Sequence, residues 1–521
     1  MVYLKKVAVF LLTAMATLVS LLVAVPAVAS AEISPNPTPT WGVTGLGPTQ
    51  FTGPIDNQVW SIEQIGDVVY VGGRFTQVQQ FSNSTPVAQP YLAAFDVDSG
   101  AHIASFAPAI DAPVYALKAS PDGSRLYVGG EFTAVNGAAY TEGLAAIDPV
   151  TGAVDPTFLP DLNNPWSSYP VVVKSIDLDD TYLYAGGTFS ATGGRNGVPR
   201  TVLSRLARAS TATGLVDTTW TPTVSGGSIW GMALDDDSAE LHIGGYFTTV
   251  NGMAQSQYFT SLDTTSGLEM AGITPWIDQT AYPNRGYIQD VEVFGDKIWI
   301  GGSEHAVWQL DGDTNEILRI HSTRRGGDYQ DIEVVGDRIY ASCHCYTDHY
   351  ADYDYWVNRF DPVPGDVLVT PIKYVAAYDG DSGDYLSSFQ LNAAATQSGV
   401  WAIHGDTNGC LWLGGDISAV GDFDAGTELW AGGFSRFCES AGGALPAPAS
   451  VQSTFQDNSR IVINWSAVPG AVDYEIVRDG VAIGTDADRW FTDLDLPQGT
   501  TYDYQVRGIT ATGELGDLSD P

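Results

Sequence analysis

A pair of adjacent glycines recurs along the chain at a nearly fixed interval, each time at the end of an apolar, strand-like run. The phrase LYVGGEFTAVNG (Leu126–Gly137) is a full copy, and the pairs stand at residues 72–73, 129–130, 186–187, 244–245, 301–302 and 414–415. The intervals are 57, 57, 58, 57 and 113 residues, so the last is about twice the others. A weaker copy, RIYASCHC (Arg338–Cys345), fills the long gap and brings the number of repeats to seven.

Each repeat has the composition of four short strands. In the second repeat, Val114–Ser120 is the first strand, the glycine run is the second, and Leu144–Pro160 is a hairpin with a D-x-x-T-G turn. Helical periodicity is almost absent. Strand-filled repeats of this length indicate sheets arranged radially around an axis. We therefore predict an all-β fold in which residues 50–440 form a seven-bladed β-propeller.

Glycine weakens a strand unless another part of the backbone must approach closely. We expect the glycine pairs to lie where neighbouring blades crowd together. The phenylalanines that follow the pairs should fill the space between blades, and they are Phe75, Phe132, Phe189 and Phe247.

The two ends of the repeat array predict how the ring closes. The seventh repeat stops after its third strand, near Gly432–Ser440. Before the first repeat, Gln50–Trp60 matches Ala104–Tyr115, which combines a fourth strand with the start of the next repeat. The N-terminal strand is therefore predicted to complete the last blade, because a closed ring leaves no exposed sheet edge.

The segments outside the repeats predict export and a second domain. Residues 1–31 read as a signal peptide, because Lys5 and Lys6 precede an apolar run and small residues follow it. The alternative is an uncleaved membrane anchor. Residues 32–49 and 441–446 are predicted linkers, and residues 447–521 form a domain in which the repeat is lost.

Residues 447–521 resemble a fibronectin type III domain. The resemblance lies in Trp465, in the strand and turn YEIVRDG, and in Leu496, which stands six residues before Tyr502. The last strand is predicted to be short or truncated. The repeats resemble those of secreted bacterial β-propellers of the V-G-G-x-F-T type, which are often joined to fibronectin type III modules. This resemblance implies fold and export, and it implies no fixed active site.

Charge restricts the classes of partner. The formal net charge is −38, from 61 acidic and 23 basic residues. Nucleic acids and anionic membrane surfaces need basic footprints, so we expect neither as a partner. Membrane contact is expected only through an uncleaved signal. We predict a secreted, extracellular monomer.

Four cysteines in an exported chain suggest disulfides. Cys410 begins the second strand of the seventh repeat and Cys438 ends its third strand, so these two are predicted to pair. Cys343 and Cys345 are then left to pair with each other across one residue or to remain a free, reactive pair.

The innermost strands align at one position that reads Ser61, Ala116, Ser175, Gly231, Asp290, Asp331 and Ala402. Five of these residues are small, as expected where blades converge on an axis. Asp290 and Asp331 depart from this pattern and become the candidate catalytic pair if the protein is an enzyme.

Other candidate ligand-binding residues cluster in the fifth and sixth repeats. The sixth repeat carries the longest insertion, Cys343–Phe360, and long loops inside compact repeats are usually functional or disordered. The candidates are Gln289, His305, Asp328, Gln330, His344, Asp348, His349, Asp352, Asp354, Tyr355 and Trp356.

Several functions fit these residues. Aromatic rings beside carboxylates form a typical carbohydrate site, and two carboxylates about 5–9.5 Å apart could hydrolyse a glycosidic bond. The aspartates could also hold Ca²⁺, or with His344 and His349 a transition metal. A structural alternative is that Asp290 and Asp331 pair with nearby arginines.

Binding is the function that we predict first. The chain is then a secreted, non-catalytic scaffold that binds an extracellular polysaccharide or a cell-surface protein on one propeller face, with no cofactor except possible Ca²⁺. The alternative is a glycoside hydrolase or an accessory protein of polysaccharide degradation.

Overall fold

The computed structural model describes the chain from Ile33 to Ser519 with gaps. The described residues are 33–35, 37–38, 41–46, 57–195, 197–235, 238–270, 286–324, 327–355, 361–421, 429–438, 445–457, 459–478, 481–487, 489–494, 496–497, 500–509, 516 and 518–519. The predicted signal peptide and part of both predicted linkers lie outside them. No helix in the described part is both long and apolar enough to cross a membrane.

The fold is all-β and consists mainly of small antiparallel sheets. Seven sets of strands, named sheets 1 to 7 in chain order, each contain three strands that pair in chain order, although short strands of other sheets lie between the second and third strands of sheets 1, 3 and 4. These strands are Gln58–Ile65, Val68–Arg74 and Leu92–Asp96 in sheet 1; Val114–Ala119, Leu126–Gly130 and Leu144–Ile147 in sheet 2; Val172–Leu178, Tyr182–Thr188 and Leu206–Ser210 in sheet 3; Ser228–Asp235, Glu240–Tyr246 and Phe259–Asp263 in sheet 4; Ile288–Phe294, Lys297–Gly302 and Ala306–Asp311 in sheet 5; Tyr329–Val335, Arg338–Tyr350 and Val369–Asp379 in sheet 6; and Ala393–Gly405, Cys410–Val420 and Leu429–Cys438 in sheet 7.

A fourth segment borders the third strand of every one of these sheets. In sheet 5 it is a full strand, Ile317–Thr323, which also pairs with the long second strand of sheet 6 and joins the two into one seven-stranded sheet. In the other sheets it is a single bridge, and the bridges are Phe95 to His102, Ile147 to Val154, Ala209 to Val216, Leu262 to Glu269, Tyr378 to Tyr385 and Thr38 to Arg436.

Shorter elements lie between the sheets and at the C-terminus. The short strands are Gly42–Thr44, Gln77–Gln79, Val87–Ala88, Leu162–Asn163, Ala191–Thr192, Thr201–Val202, Val224–Ser225 and Thr249–Val250, with a 3-10 turn at Ala254–Ser256. The C-terminal residues form two three-stranded sheets, Val451–Asp457, Arg460–Trp465 and Trp490–Asp493 in one and Val481–Asp486, Asp473–Arg478 and Tyr504–Ile509 in the other.

The sheets pack on one another in a closed cyclic order. The first glycine of each pair faces the first strand of the next sheet, so that a Cβ on Gly72 would lie 2.6 Å from Val114 Cγ1. A Cβ on Gly414 of sheet 7 would overlap Val59 of sheet 1, which closes the order. The phenylalanines after the pairs are at most 2% exposed, and they are Phe75, Phe132, Phe189 and Phe247. The glycine pairs therefore allow the close approach that the sequence indicated.

Every first strand carries a one-residue β-bulge opposite the glycine pair. In sheet 3, Val173 and Ser175 pair with the two successive glycines of the second strand, and Lys174 between them is left unpaired. The same shift in register occurs in the other six sheets. The second glycine faces this bulge, since a Cβ on Gly187 would overlap the carbonyl oxygen of Val172. Sheet 6 has Ser342 and Cys343 in place of the two glycines. The first glycine of the pair thus allows the close contact between sheets, and the second leaves room for the bulge within its own sheet.

Replacing Gly187 by alanine is expected to lower the free energy of unfolding by about 1–3 kcal/mol, because the new methyl group forces the backbone away from the bulge. Urea unfolding followed by tryptophan fluorescence measures the change. Gly365→Ala is the control, since no atom lies within 4 Å of its Cβ position and its φ is not left-handed. An equal loss in both variants would contradict the packing explanation.

The N-terminal residues contact sheet 7 upstream of the predicted closing strand. The backbone N–H of Ser34 donates to Cys438 O at 2.9 Å, and that of Thr38 donates to Arg436 O at 2.7 Å. Both residues lie in the segment predicted as a linker. Of the segment Gln50–Trp60, residues 57–60 are described; they lead into the first strand of sheet 1, as predicted for the start of a repeat, and the predicted closing strand before them lies outside the described residues.

The C-terminal sheets enclose a small core of their own. Trp465 is 5% exposed and packs against Tyr474, and the two ring centroids are 5.5 Å apart. Near the chain end, the N–H of Ser519 donates to Val506 O at 3.0 Å. The described residues after Ile509 are thus held beside the last strand without forming a strand themselves.

Candidate functional site

A cavity of about 580 Å³ lies where the first strands of sheets 1 to 7 converge. Three successive rings of first-strand residues lie around it, one residue from each sheet in each ring, and all of them except Asp177, Gly231 and Ala233 line it. The upper ring comprises the bulge residues Trp60, Tyr115, Lys174, Trp230, Gln289, Gln330 and Trp401. The middle ring is the next residue along each strand, and the lower ring lies two residues further on.

The bulges explain why two consecutive residues of each strand can face one cavity. In a regular strand neighbouring side chains point to opposite faces. A bulge residue is left unpaired, and its side chain is re-aimed. The upper ring therefore joins the middle ring in lining the cavity, although the alternation of a regular strand would turn it away.

The upper ring is aromatic in sheets 1, 2 and 4, and Lys174 of sheet 3 lies between these rings. Trp60 stacks on Tyr115, with ring centroids 4.7 Å apart and planes 3° apart. Lys174 Nζ lies 5.3 Å from the centroid of Tyr115 and 4.7 Å from that of Trp230. Trp230 in turn contacts Tyr287 at 4.6 Å. These contacts form a continuous aromatic arc with one ammonium group inside it.

The remaining part of the upper ring is polar. The Gln330 side-chain amide lies 3.0 Å from His344 Nδ1. Trp60 Nε1 donates to Gln58 Oε1 at 3.0 Å, which connects this part to the aromatic arc. The buried indole N–H of Trp401 has no acceptor among the described residues. Ring faces on one side and hydrogen-bonding groups on the other are the combination found in pockets for small polar ligands with apolar faces.

Asp328 and His305 lie next to the polar part of the upper ring and do not line the cavity themselves. His305 Nε2 lies 3.3 Å from Asp328 Oδ1, and the Tyr287 hydroxyl donates a short hydrogen bond to the same carboxylate. His305 is only 8% exposed. Asp328 therefore links the end of the aromatic arc to the histidines of the polar part.

The middle ring contains the predicted acidic pair. Asp290 Oδ2 accepts the N–H of Ile332 in the next sheet at 2.8 Å, and Asp331 Oδ2 accepts the N–H of Ile403 at 2.5 Å. Ser61 accepts the N–H of Leu117 in the same way at 2.9 Å. Each of these side chains therefore links its own sheet to the next one by a hydrogen bond.

The two carboxyl groups of this pair also interact electrostatically. Burial raises the pKa of Asp290 to about 7, although the N–H of Ile332 opposes the rise. Burial and the charge of Asp290 raise the pKa of Asp331 well above its ordinary value. Two adjacent carboxylates cannot both ionise easily, so the pair holds one shared proton near neutral pH.

The lower ring is densely charged, with one residue from each sheet: Glu63, Lys118, Asp177, Ala233, Glu292, Glu333 and His404. Lys118 Nζ pairs with Asp177 Oδ1 at 2.8 Å, and His404 Nδ1 lies 3.3 Å from Glu333 Oε1. Burial lowers the pKa of His404, but the hydrogen bond and charge of Glu333 outweigh it and raise the pKa overall. No group of three His, Cys, Asp or Glu side chains in the described ranges is arranged to hold a metal ion.

The described part of the predicted insertion loop, residues 343–355, is strand as far as Tyr350. The second strand of sheet 6 continues through Tyr350 and packs beside Ile317–Thr323 of sheet 5. His349 is fully buried, and its Nε2 lies 2.9 Å from the Tyr378 hydroxyl. Asp348 pairs with Arg324 at 3.0 Å. These two residues hold the strand extension in place and do not line the cavity.

The end of the insertion continues this junction. Asp352 pairs with Arg319 at 2.6 Å, Asp354 is half-buried, and Tyr355 stacks on Tyr350 with centroids 4.8 Å apart. Trp356 lies outside the described residues. Of the predicted ligand-binding residues, only Gln289 and Gln330 line the cavity, with His305, Asp328 and His344 directly behind them.

All four cysteines are in disulfides, Cys410 with Cys438 and Cys343 with Cys345. Cys410 and Cys438 are directly opposite each other on neighbouring strands of sheet 7. Disulfides persist in oxidising compartments, which agrees with an extracellular location.

No protein-family model matches the chain. Segments of it are similar to an alpha-amylase of Niallia circulans (36% identity over 79 residues) and to poly(3-hydroxybutyrate) depolymerases of Ralstonia pickettii (29% over 85) and Delftia acidovorans (35% over 78). These matches cover 15–16% of this chain and 6%, 17% and 16% of those proteins, so the chain spans less than a fifth of the relatives it matches. The crystal structure of the computationally designed Ika8 protein aligns with 76% of this chain and 100% of its own, at 10% identity and a TM-score of 0.40.

Proposed function

We propose that this protein is an exported, non-catalytic binding protein that holds an extracellular polysaccharide at the upper ring. The observation that carries the proposal is the set of seven bulges, which turns three tryptophans, a tyrosine and a lysine toward one cavity. The cavity of about 580 Å³ lies within the range of about 300–1,000 Å³ that is typical of ligand pockets. Flat aromatic rings bury the apolar faces of sugars, and the polar part of the ring can bond their hydroxyl groups.

The proposed scaffold is a seven-bladed β-propeller in which sheets 1 to 7 are the blades. The cyclic packing of the glycine pairs supports this, because sheet 7 contacts sheet 1 in the same way as each sheet contacts the next. The N-terminal contacts at Ser34 and Thr38 add an outer edge to sheet 7. A closed scaffold keeps the upper ring rigid, which lowers the entropic cost of binding.

Residues 447–521 are proposed to be a fibronectin type III domain. Two three-stranded sheets enclosing Trp465 support this assignment. The similar segments of the amylase and the depolymerases span 78 to 85 residues, close to the 75 residues from 447 to 521. We propose that this domain is an accessory module of a kind that also occurs in enzymes acting on extracellular polymers.

The acidic pair favours binding over glycoside hydrolysis. Glycosidases separate their two carboxyl groups by about 5–9.5 Å to fit the sugar and the water. Asp290 and Asp331 each accept a backbone N–H of the next sheet, from Ile332 and Ile403. A carboxyl group with these contacts links strands of neighbouring sheets by hydrogen bonds, and its hydrogen-bonded oxygen is not available to attack a glycosidic bond.

Replacing Trp230 by alanine is expected to weaken polysaccharide binding at least tenfold, or by about 1.4 kcal/mol, because the variant loses the ring at the centre of the aromatic arc. Calorimetric titration against soluble acidic and neutral polysaccharides measures the change. Trp490→Ala is the matched control, since Trp490 is 51% exposed in the C-terminal sheets.

Two results would contradict the proposal. Wild-type protein that binds no polysaccharide would remove the binding function. Release of reducing ends, lost in Asp331→Asn, would make the protein a glycosidase and the acidic pair catalytic.

A further inference from the structure

Two lysines face the central cavity in contrasting environments. Lys118 in the lower ring pairs with Asp177 at 2.8 Å, and the charge of Asp177 raises its pKa. Lys174 in the upper ring lies between the rings of Tyr115 and Trp230. Among the described residues no carboxylate lies within the 4.0 Å of an ion pair from Lys174 Nζ. One cavity thus contains one neutralised ammonium group and one without a partner of opposite charge.

An ammonium group taken out of water without a partner is unfavourable. Burial lowers the pKa of Lys174, and the more distant charge of Glu131 only partly opposes this. The faces of two aromatic rings offset part of the loss of hydration. The chain has 61 acidic residues and 23 basic ones, so a carboxylate partner is readily available in the sequence. Lys174 nevertheless has none, and its charge remains free to meet an anionic group from outside.

The position of Lys174 suits contact with a ligand that stacks on the neighbouring rings. The bulge between Val173 and Ser175 turns the lysine into the cavity. Its Nζ is 4.7 Å from one ring centroid and 5.3 Å from the other. A sugar stacked beside either ring would therefore bring its ring substituents within reach of the ammonium group.

We propose that Lys174 recognises a carboxylate of the ligand, so that the preferred polysaccharide is one that contains uronic acid residues. This inference rests on the proposed binding function and specifies its ligand class. The negative charge of the protein opposes such a ligand at long range, but salt reduces this repulsion beyond a Debye length of about 8 Å at physiological ionic strength. An ion pair inside the cavity is stronger than one in water, because the effective dielectric constant is lower there.

The acidic pair of the middle ring reduces this repulsion further. Burial raises the pKa of both Asp290 and Asp331, so the pair presents less than its full negative charge to the upper ring. The ion pair of Lys118 with Asp177 neutralises one carboxylate of the lower ring. Lys174 then supplies the positive charge of the upper ring.

The test compares polygalacturonate with its fully methyl-esterified form, which has the same backbone without the charge. Wild-type protein should bind the free acid at least tenfold more tightly than the ester. Lys174→Met should abolish this preference, and Lys174→Arg should retain most of it. Lys373→Met, outside the cavity, is the control and should behave like the wild type.

The outcomes separate this inference from the function on which it rests. Equal wild-type affinity for acid and ester, with binding still sensitive to Trp230→Ala, would overturn the role of Lys174 and leave carbohydrate binding standing. A Lys174→Met variant that keeps the preference would also overturn it. No binding of any polysaccharide would overturn both proposals. If Lys174→Met fails to fold, the wild-type preference and its decrease with added salt still decide the question.

Discussion

Replacing both Cys410 and Cys438 by alanine is expected to lower the free energy of unfolding by about 3–4 kcal/mol, the loop-closure value for a separation of 28 residues. The disulfide reduces the conformational entropy of the unfolded chain, and it also holds the two strands of sheet 7 together at their ends. The strand that contains Cys438 receives the N-terminal residues, through Ser34 and Thr38. Loss of the disulfide should therefore loosen the sheet that completes the cyclic order.

Removal of the other disulfide is the matched control for this prediction. Cys343 and Cys345 are separated by only two positions, so their link restricts the unfolded chain much less. The double alanine variant of this pair loses the same number of sulfur atoms and should lose about half as much stability or less. Denaturant unfolding of both variants gives the comparison. Equal losses would mean that loop closure does not explain the effect at sheet 7.

The repeat signal predicted the spacing of the sheets because it reports a steric requirement. A side chain at Gly72 would collide with Val114 of the next sheet, and one at Gly187 would collide with the backbone of its own sheet. Such collisions exclude other residues at most copies, and the glycine interval therefore gives the spacing of the sheets. The middle ring was predicted for the same reason, since space near the axis requires small residues such as Ala116 and Ala402.

Apart from Gln289 and Gln330, the residues of the upper ring were missed, because the prediction assumed regular strands. In a regular strand, the residue before Ser61 or Gly231 points away from the axis. The bulge reverses this for Trp60 and Trp230. A signal was available in the sequence, because the position before the small residue is aromatic in four of the seven repeats, at Trp60, Tyr115, Trp230 and Trp401.

The insertion in the sixth repeat misled the prediction for a different reason. Histidine, aspartate and tyrosine in a long loop are typical of binding sites. Here they serve a junction between two sheets, where His349 is buried against Tyr378 and Asp352 pairs with Arg319. Pairing between Thr323 and His349 across the two sheets cannot be inferred from the repeat pattern, because no other copy has it.

Replacing Asp290 by asparagine is expected to raise the free energy of unfolding at pH 8 by about 1–3 kcal/mol and to flatten its pH dependence between pH 4 and 7. The pKa of Asp290 is about 7 in the folded protein, above the ordinary value of 3.8. The folded state thus keeps a proton that the unfolded state releases, and wild-type stability must fall as the pH rises through this window. Converting the whole rise in the pKa of Asp290 into free energy would give a larger value than this range. Asp290 faces the cavity and is only half-buried, however, so solvent screens part of the effect.

Alanine at the same position separates the charge from the hydrogen bond. Asparagine can still accept the N–H of Ile332, whereas alanine leaves that N–H without its partner. Asp290→Ala should therefore lose about 1–3 kcal/mol relative to Asp290→Asn at every pH. Chemical unfolding of the three proteins from pH 4 to 8 gives both differences. If the asparagine variant followed the wild-type pH profile, the carboxyl pair would not share a proton, and the acidic pair would again be open to a catalytic role.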